Sequence, residues 1–324
     1  MIGAVVIGRN EGQRLISCLE SLVKHIDHIV YVDSGSTDDS LLESKHRYVE
    51  CLSLDLSSPF TAARARNEGA NYLITKYPEL QFIQFIDGDC EVQPDWISKA
   101  KFFLENNVAY AVVCGRRRER YPNNSMYNQL CDIEWNTPVG DALACGGDAL
   151  IRIDAFKQVN GYRDNLIAGE EPEMCFRLRS GGWEIYRLDA EMTLHDAAIT
   201  HFSQWWNRAK RAGYAYAGGY DLHGKSAEKF KRKQVFSIII WTFIIPVIIT
   251  LLSFQNYFLL CLFVVFPLQV LRLMFKEKSR LSSYKLAFFY ALSNVVGKFP
   301  QLLGVMKFIA NKTSGRKATL IEYK

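Results

Sequence analysis

Asp87 and Asp89 are separated only by Gly88 and directly follow the apolar run Gln81-Phe-Ile-Gln-Phe-Ile86. Two acids in that spacing, at the end of a buried strand, can both reach one hard cation. Mg²⁺ or Mn²⁺ held this way usually bridges to substrate phosphates, where it neutralises charge on a departing diphosphate. An Asp-Gly-Asp tripeptide is also a common solvated turn, so its surroundings decide its meaning. Those surroundings are polar. The apolar run 3–8 ends on Arg9-Asn10-Glu11, and the run 28–32 ends on Asp33-Ser-Gly-Ser-Thr-Asp-Asp39. Ligands of open α/β sheets lie beyond the carboxyl ends of the strands. Polar side chains delivered repeatedly to one rim therefore predict a site.

The elements that must position these groups alternate. Residues 3–8 suit a strand buried on both faces. Residues 11–24 carry Leu15, Cys18, Leu19, Leu22 and Val23 on one helical stripe. A strand at 28–32 leads through a turn and an N-cap into a helix from about Asp38. A strand at 49–54, a helix at 61–77 and a strand at 81–86 follow. This alternation predicts an α/β domain with a largely parallel sheet. Pro172, behind Glu170 and Glu171, opens a helix over 172–180, and a strand-like stretch, 183–194, runs into His195. The charge run Arg116-Arg-Arg-Glu-Arg120 reads as a solvated face or loop.

The chain has 324 residues and a net charge of +5, enough for one catalytic domain plus an appendage. The charge is divided unevenly. Residues 221–324 hold 16 Lys/Arg against 4 Asp/Glu, a net of +12, while residues 1–220 hold 23 against 30, a net of −7. The acidic first half disfavours nucleic acid as a partner. The basic second half is dominated by apolar runs, which favours an anionic membrane. Two segments, 235–253 and 257–275, are uncharged except for Arg272 and long enough to cross a hydrocarbon core of ~30 Å. Lys229 to Lys233 precede them, and Lys276, Lys278, Arg280 and Lys285 follow, so the positive-inside rule predicts a hairpin with both ends in the cytoplasm. A further apolar stretch, 286–309, is interrupted by Asn294, Lys298, Pro300 and Lys307. Spanning would place the basic residues 312–317 outside, against the charge rule; an interfacial or re-entrant helix is expected instead. The apolar run 2–7 is too short for a secretory h-region. The eight cysteines form no CxxC pair and no zinc spacing; reduced, buried, structural thiols are expected.

Six motifs occur in a fixed order: Ile7-Gly-Arg-Asn-Glu11, Asp33-Ser-Gly-Ser-Thr-Asp38, Ala65-Arg-Asn-Glu-Gly69, Phe85-Ile-Asp-Gly-Asp89, Gly146-Gly-Asp-Ala-Leu-Ile151 and Gly169-Glu-Glu-Pro-Glu-Met174. Together, over residues 1–219, the set resembles the membrane-associated bacterial family 2 glycosyltransferases of the GT-A fold. The resemblance implies a Rossmann-like mixed sheet flanked by helices over residues 1–220, followed by a membrane-associated region, 221–324. It implies that Arg9 and Glu11 close over the nucleotide, that Asp33 contacts its base or ribose and that Arg66 lies near it. Asp87 would sit by the ribose and metal, and Asp89 would be the main ligand of Mg²⁺ or Mn²⁺. His195 matches a histidine that can add a further ligand, although a lone histidine is as often structural. Glu171 matches the general base that takes a proton from the acceptor hydroxyl in an inverting transfer. The family has Asp where this chain has Glu171, so Glu170 stays open as the base.

The implied function is transfer of one sugar, hexosyltransferase-like, from a nucleotide-diphosphate sugar to a lipid-linked or polysaccharide acceptor at the cytoplasmic membrane face. Gln204-Trp-Trp-Asn-Arg208 lacks the Gln-x-x-Arg-Trp pattern of processive synthases, which favours one sugar per acceptor. A nucleotidyltransferase would share the metal and nucleotide, but it wants a glycine-rich loop after the first strand, where residues 9–13 supply only Gly12. A membrane-anchored glycan-binding protein with an inactive site is the non-enzymatic alternative, and retention of Asp87, Asp89, Glu170, Glu171 and Glu173 argues against it.

Overall fold

The computed structural model describes residues 1–281 and 283–315. It divides into two compact units, Met1–Ala198 and Ile199–Lys324.

In the first unit, β1 (Ile2–Gly8), α1 (Gln13–Leu22), β2 (His28–Asp33), α2 (Ser40–His46), β3 (Glu50–Ser53), α3 (Ala62–Lys76) and β4 (Phe82–Asp87) alternate as the hydrophobic pattern predicts. The strands β3-β2-β1-β4 pair in parallel. Val5, Val6, Val30, Tyr31, Phe85 and Ile86 are fully buried, as strands covered by helices on both faces must be. Beyond β4 the sheet becomes mixed. It is completed by β5 (Cys90–Val92), β6 (Tyr110–Glu119), β7 (Gly140–Asp141), β8 (Ala149–Arg152) and β9 (Glu184–His195). β8 lies antiparallel between β4 and β6, β9 runs parallel to β6, and β5 and β7 are antiparallel to β9. Helices α4 (Trp96–Asn106), α5 (Met126–Trp135), α6 (Ile153–Gln158) and α7 (Glu170–Ser180) complete the unit.

Two expectations are corrected here. The charge run 116–120 is no loop: Arg116 to Glu119 lie in β6, inside the sheet. The helix expected over 172–180 begins two residues earlier, at Glu170, because Gly169 takes a left-handed conformation (φ 81°) that starts the helical turn ahead of Pro172. All eight cysteines are free thiols; six are buried, whereas Cys51 is half-buried and Cys261 exposed.

In the second unit, α8 (Phe202–His223) meets the helix Lys298–Ser314 through two glycines. A Cβ on Gly213 would lie 2.0 Å from the carbonyl oxygen of Gln301, and one on Gly304 would lie 2.0 Å from that of Lys210. Only glycine permits backbones that close. The segments Arg232–Ser253 and Tyr257–Glu277 are helices of 22 and 21 residues, long and apolar enough to cross a membrane. A π-helical turn, Ile240–Ile244, sits just ahead of Pro246 in the first, where proline removes a hydrogen bond. Phe243, Ile248, Leu251, Phe258 and Leu268 are exposed along the two segments. The stretch 286–309 is not one helix but parts of two, Tyr284–Val296 and Lys298–Ser314, meeting at Gly297. Arg316 and Lys317 lie outside the described residues.

Candidate active site

Parallel register sets the rim. Ile7 faces Asp87 and Gly8 faces Asp33, so the polar residues that follow β1, β2 and β4 emerge at one level. The Asp33 carboxylate accepts the backbone N–H groups of Gly35 (3.0 Å) and Ser36 (2.9 Å) and the Tyr31 hydroxyl (3.0 Å). Asn10 accepts the N–H of Thr37 at 2.7 Å, tying the loop after β1 to the loop after β2. Within these loops the Arg9 guanidinium lies 4.9 Å over the Phe60 ring, and Glu11 pairs with Arg14 at 2.8 Å. Gly88 donates its N–H to the Ile7 carbonyl at 2.8 Å. A Cβ at Gly88 would stand 3.1 Å from that same oxygen, which accounts for the small residue between the two acids.

Arg66 is the centre of the cluster. Gly69 lets α3 lie directly on the sheet, since a Cβ there would be 2.5 Å from Val5 Cγ1. Arg66, 2% exposed, thereby reaches beneath the rim. Its Nη2 donates to Asp87 Oδ1 at 2.8 Å and its Nη1 to Glu170 Oε1 at 3.1 Å, with Glu171 Oε1 at 3.3 Å. One guanidinium thus joins the acid after β4 to both acids at the start of α7. Burial alone would raise the Asp87 pKa, but the Arg66 and then Arg117 guanidiniums outweigh it and hold Asp87 below the usual carboxylate value.

Arg117 and Asp148 complete this network. Arg117 pairs with Asp148 Oδ2 at 2.8 Å and with Asp87 Oδ2 at 3.4 Å. Asp148, fully buried, also accepts the backbone N–H of Asp87 (3.1 Å) and the Thr193 hydroxyl (2.7 Å), so it fixes the end of β4 against β9. At Gly147 a Cβ would stand 2.5 Å from Arg66 Nη2 and 2.8 Å from Asp87 Oδ2. A side chain there would have to displace one of the two groups.

Beside this network, His195 Nε2 lies 3.2 Å from Asp89 Oδ2, both side chains being buried. The antiparallel register that sets Cys90 opposite His195 brings them together. His195 Nδ1 is buried and has no hydrogen-bond partner. A carboxylate oxygen with an imidazole nitrogen suits Mn²⁺ or Mg²⁺ once phosphate oxygens and water complete the shell. Two ligand-sized clusters exist among the described residues, Asp89–Cys90–His195 and Asp87–Cys90–Asp148. Burial, then the nearby aspartates, pushes the Cys90 thiol up, so it stays protonated and donates to Asp89 Oδ1 at 3.6 Å. A neutral thiol is a poor ligand for a hard cation.

The three acids of α7 differ in what they touch. Glu173 is paired with Arg163 (2.6 Å) and Arg177 (2.8 Å), inside the fold. Glu170 is buried and bonded to Arg66. Glu171 is more open, and its pKa is raised to about 7, first by burial and then by the Glu170 carboxylate, with Arg66 opposing. A carboxylate poised there can take a proton near neutral pH.

The structure thus joins Arg66, Asp87, Glu170 and Glu171 in one connected set and sets the Asp89–His195 pair beside it; Arg9, Glu11 and Asp33 occupy the neighbouring loops. The sequence pattern does not reveal Arg117, which lies inside the charge run, nor the part that Asp148 plays, although Asp148 belongs to the Gly146-Gly-Asp-Ala-Leu-Ile151 motif. Cys90 has no signal beyond its place after Asp89.

Comparison with known proteins bears on the fold that carries this site. Residues 4–159 match the family described as glycosyl transferase family 2, and the N-terminal unit carries a family 2 glycosyltransferase domain of GT-A-like fold. No curated protein sequence matches the chain. Among solved structures, the mannosyltransferase PcManGT from Pyrobaculum calidifontis, in complex with GDP-Man and Mn²⁺, superposes with a TM-score of 0.64 at 12% identity, over 96% of this chain and 87% of that one. S. aureus TarS 1-349 is similar over 98% of this chain and 92% of its own, with a TM-score of 0.50 and 14% identity. A longer S. aureus TarS structure is matched over 75% of this chain but only 44% of its own length (TM-score 0.49, 13% identity). At these identities the likeness is one of fold.

Proposed function

We propose that the chain is an inverting, metal-dependent glycosyltransferase that moves one sugar from a nucleotide-diphosphate donor to a lipid-linked or glycan acceptor at the cytoplasmic membrane face. The observation that carries this reading is the single buried guanidinium of Arg66 holding Asp87 on one side and Glu170 and Glu171 on the other. Donor-facing and acceptor-facing carboxylates are thereby kept in fixed relation, and fixed geometry is what a displacement reaction needs.

Glu171 accepts the proton of the acceptor hydroxyl. The hydroxyl oxygen forms a bond to the anomeric carbon as the bond from that carbon to the diphosphate oxygen breaks, and the electron pair leaves with the nucleoside diphosphate. Attack opposite the leaving group inverts the anomeric centre, as a base and a leaving group on opposite faces require. Arg66 and Glu170 position Glu171, while Arg117 and Asp148 position Asp87. Asp89 and His195 are the residues that would hold Mg²⁺ or Mn²⁺, which supplies charge neutralisation for the diphosphate. Arg9, Glu11 and Asp33 are assigned to the nucleotide, in the loops at the carboxyl ends of β1 and β2.

Domain roles follow the same reading: residues 1–220 catalyse and 221–324 attach to the membrane as a hairpin, with the stretch 286–309 at the interface. The two apolar helices and the flanking cations support that placement.

The test is release of nucleoside diphosphate from UDP-, GDP- and dTDP-sugars with Mg²⁺ or Mn²⁺ and a membrane extract. GDP-mannose with Mn²⁺ comes first, since PcManGT, of similar fold, was solved with that pair. Turnover that survives both Asp89→Ala and Glu171→Gln would overturn the mechanism.

A further inference from the structure

A polar cavity of about 530 Å³ opens on the first unit, where the end of β5 and the start of α4 meet β6, β9 and the loop after α5. Its volume is that of a small-molecule site. Arg187, in β9, lines it and is only 4% exposed. Its Nε is buried without a hydrogen-bond partner, and among the described residues its guanidinium makes no hydrogen bond and no ion pair.

That is an unusual state for arginine. Every other arginine buried to this depth, Arg66 alone among the described residues, is held by three carboxylates. Asp189 and Glu191 act on Arg187 only at a distance, and a buried cation without a direct ion pair is costly, so folds normally pair it. Arg116 lies at the same cavity with its Nε also unpartnered, and its two ion pairs, to Asp132 (3.7 Å) and Glu191 (4.0 Å), are long.

Carboxylates are present at the cavity, but most are engaged elsewhere. Asp95 pairs with Lys99 at 3.3 Å, and Glu191 lies nearer to Arg118 (3.5 Å) than to Arg116. Asp189 is exposed. None comes within 4.0 Å of the Arg187 guanidinium, so the forked donor set is open to the cavity.

The backbone explains how it is kept open. Between Cys114 and Arg117, β9 carries extra residues relative to β6, an irregularity of the bulge kind. It aims Arg117 at the Asp87–Asp148 network while Arg116 lines the cavity, as bulges beside functional sites often do. Opposite Arg187 in β7 stands Gly140, whose absent Cβ would meet nothing within 4 Å. The cavity also adjoins the candidate active site through the chain: Asn136 and Thr137 line it, and Trp135, just before them, packs its ring against His195 and under Arg117.

We infer that this cavity is a binding site for a small oxyanion-bearing molecule, its phosphate or carboxylate group held by Arg187 with Arg116 and its hydroxyl groups by Asn136, Thr137 and the cavity acids. A planar guanidinium fork matches either oxyanion in bidentate fashion. The site is separate from the metal-dependent one and does not need the proposed transfer to be correct.

The test uses the full chain in detergent with EDTA, titrated calorimetrically with inorganic phosphate and, separately, with glucuronate. Saturable binding of at least one is expected, and the arm that binds tells phosphate from carboxylate. Arg187→Met keeps the buried stem and should weaken binding by about tenfold to a hundredfold, as loss of a charged hydrogen-bonding partner does. Arg116→Gln, at the cavity's more open side, should weaken it less, and Asp89→Ala should leave it unchanged. Without ligand, Arg187→Met should unfold at the same temperature as the parent or higher, because an unpaired buried charge has gone. If Arg187→Met is too poorly folded to titrate, Arg116→Gln decides the matter by its own loss of affinity. Absence of saturable binding in both arms would overturn the inference. So would equal affinity in parent, Arg187→Met and Arg116→Gln, or binding lost in Asp89→Ala alone.

Discussion

Replacing Arg66 by Met tests the centre of the site most directly. Methionine keeps a similar apolar stem but removes the cation shared by Asp87, Glu170 and Glu171. The side chains of Glu170 and Glu171 are 4% and 17% exposed, so water replaces little of the lost charge there, whereas Asp87 at 28% is partly screened. Leaving a buried ion uncompensated costs about 3–5 kcal/mol. For a unit of this size each kcal/mol lowers the melting temperature by roughly 2–4 °C, giving a fall of about 6–20 °C near neutral pH. The pH dependence carries the sharper information. In the parent, Asp87 is held below its ordinary value, so its stabilisation is present above that value and is lost as pH falls through the folded one. In Arg66→Met, Glu171 loses the cation that opposes its burial and rises further, and Asp87 loses the larger of the two cations that hold it down, so the folded state takes up protons as pH falls. The deficit should therefore be largest above about pH 7 and shrink towards about pH 5. Thermal unfolding in detergent, followed by near-ultraviolet circular dichroism across that range, measures it. A fall of under about 2 °C at pH 8, or a deficit equal at both ends of the range, would refute the claim that Arg66 balances this acid cluster.

Three further outcomes follow from the same geometry. Glu171→Gln should lower kcat by about 10²–10⁴-fold with donor KM little changed; in the parent, kcat should fall below about pH 7 as Glu171 becomes protonated, and a flat profile between pH 6 and 8 would count against Glu171 as base. Gly147→Ala inserts a Cβ 2.5 Å from Arg66 Nη2; the overpacking should cost about 1–3 kcal/mol and disable turnover, and parental activity would show that Asp87 and Arg66 need not meet there. Sodium carbonate extraction should leave the protein in the membrane pellet, while recovery in the soluble fraction without detergent would remove the hairpin.

The alternation of strands and helices over the first 90 residues was legible because those strands are buried on both faces and their helices carry one apolar stripe. The remaining strands were harder to read. β6 and β9 carry arginines and acids inside a sheet, so their polarity reads as loop, and the pairing that buries them joins residues some 70 positions apart. The same remoteness hid Arg117, whose partners Asp87 and Asp148 lie 30 and 31 residues away in the chain.

By itself, then, the sequence determined that acids and bases gather at the ends of β1, β2 and β4, because residue type and hydrophobic period are local properties. It also marked two segments as able to span a bilayer, since length and apolarity suffice for that. Only the tertiary structure decided which acids share Arg66, that Asp89 meets His195, and that Glu171 is raised towards neutrality while Glu173 is bound within the fold. Those outcomes depend on burial and on distances of about 3 Å between residues remote in the chain, where a small displacement decides whether a charge is paired or exposed.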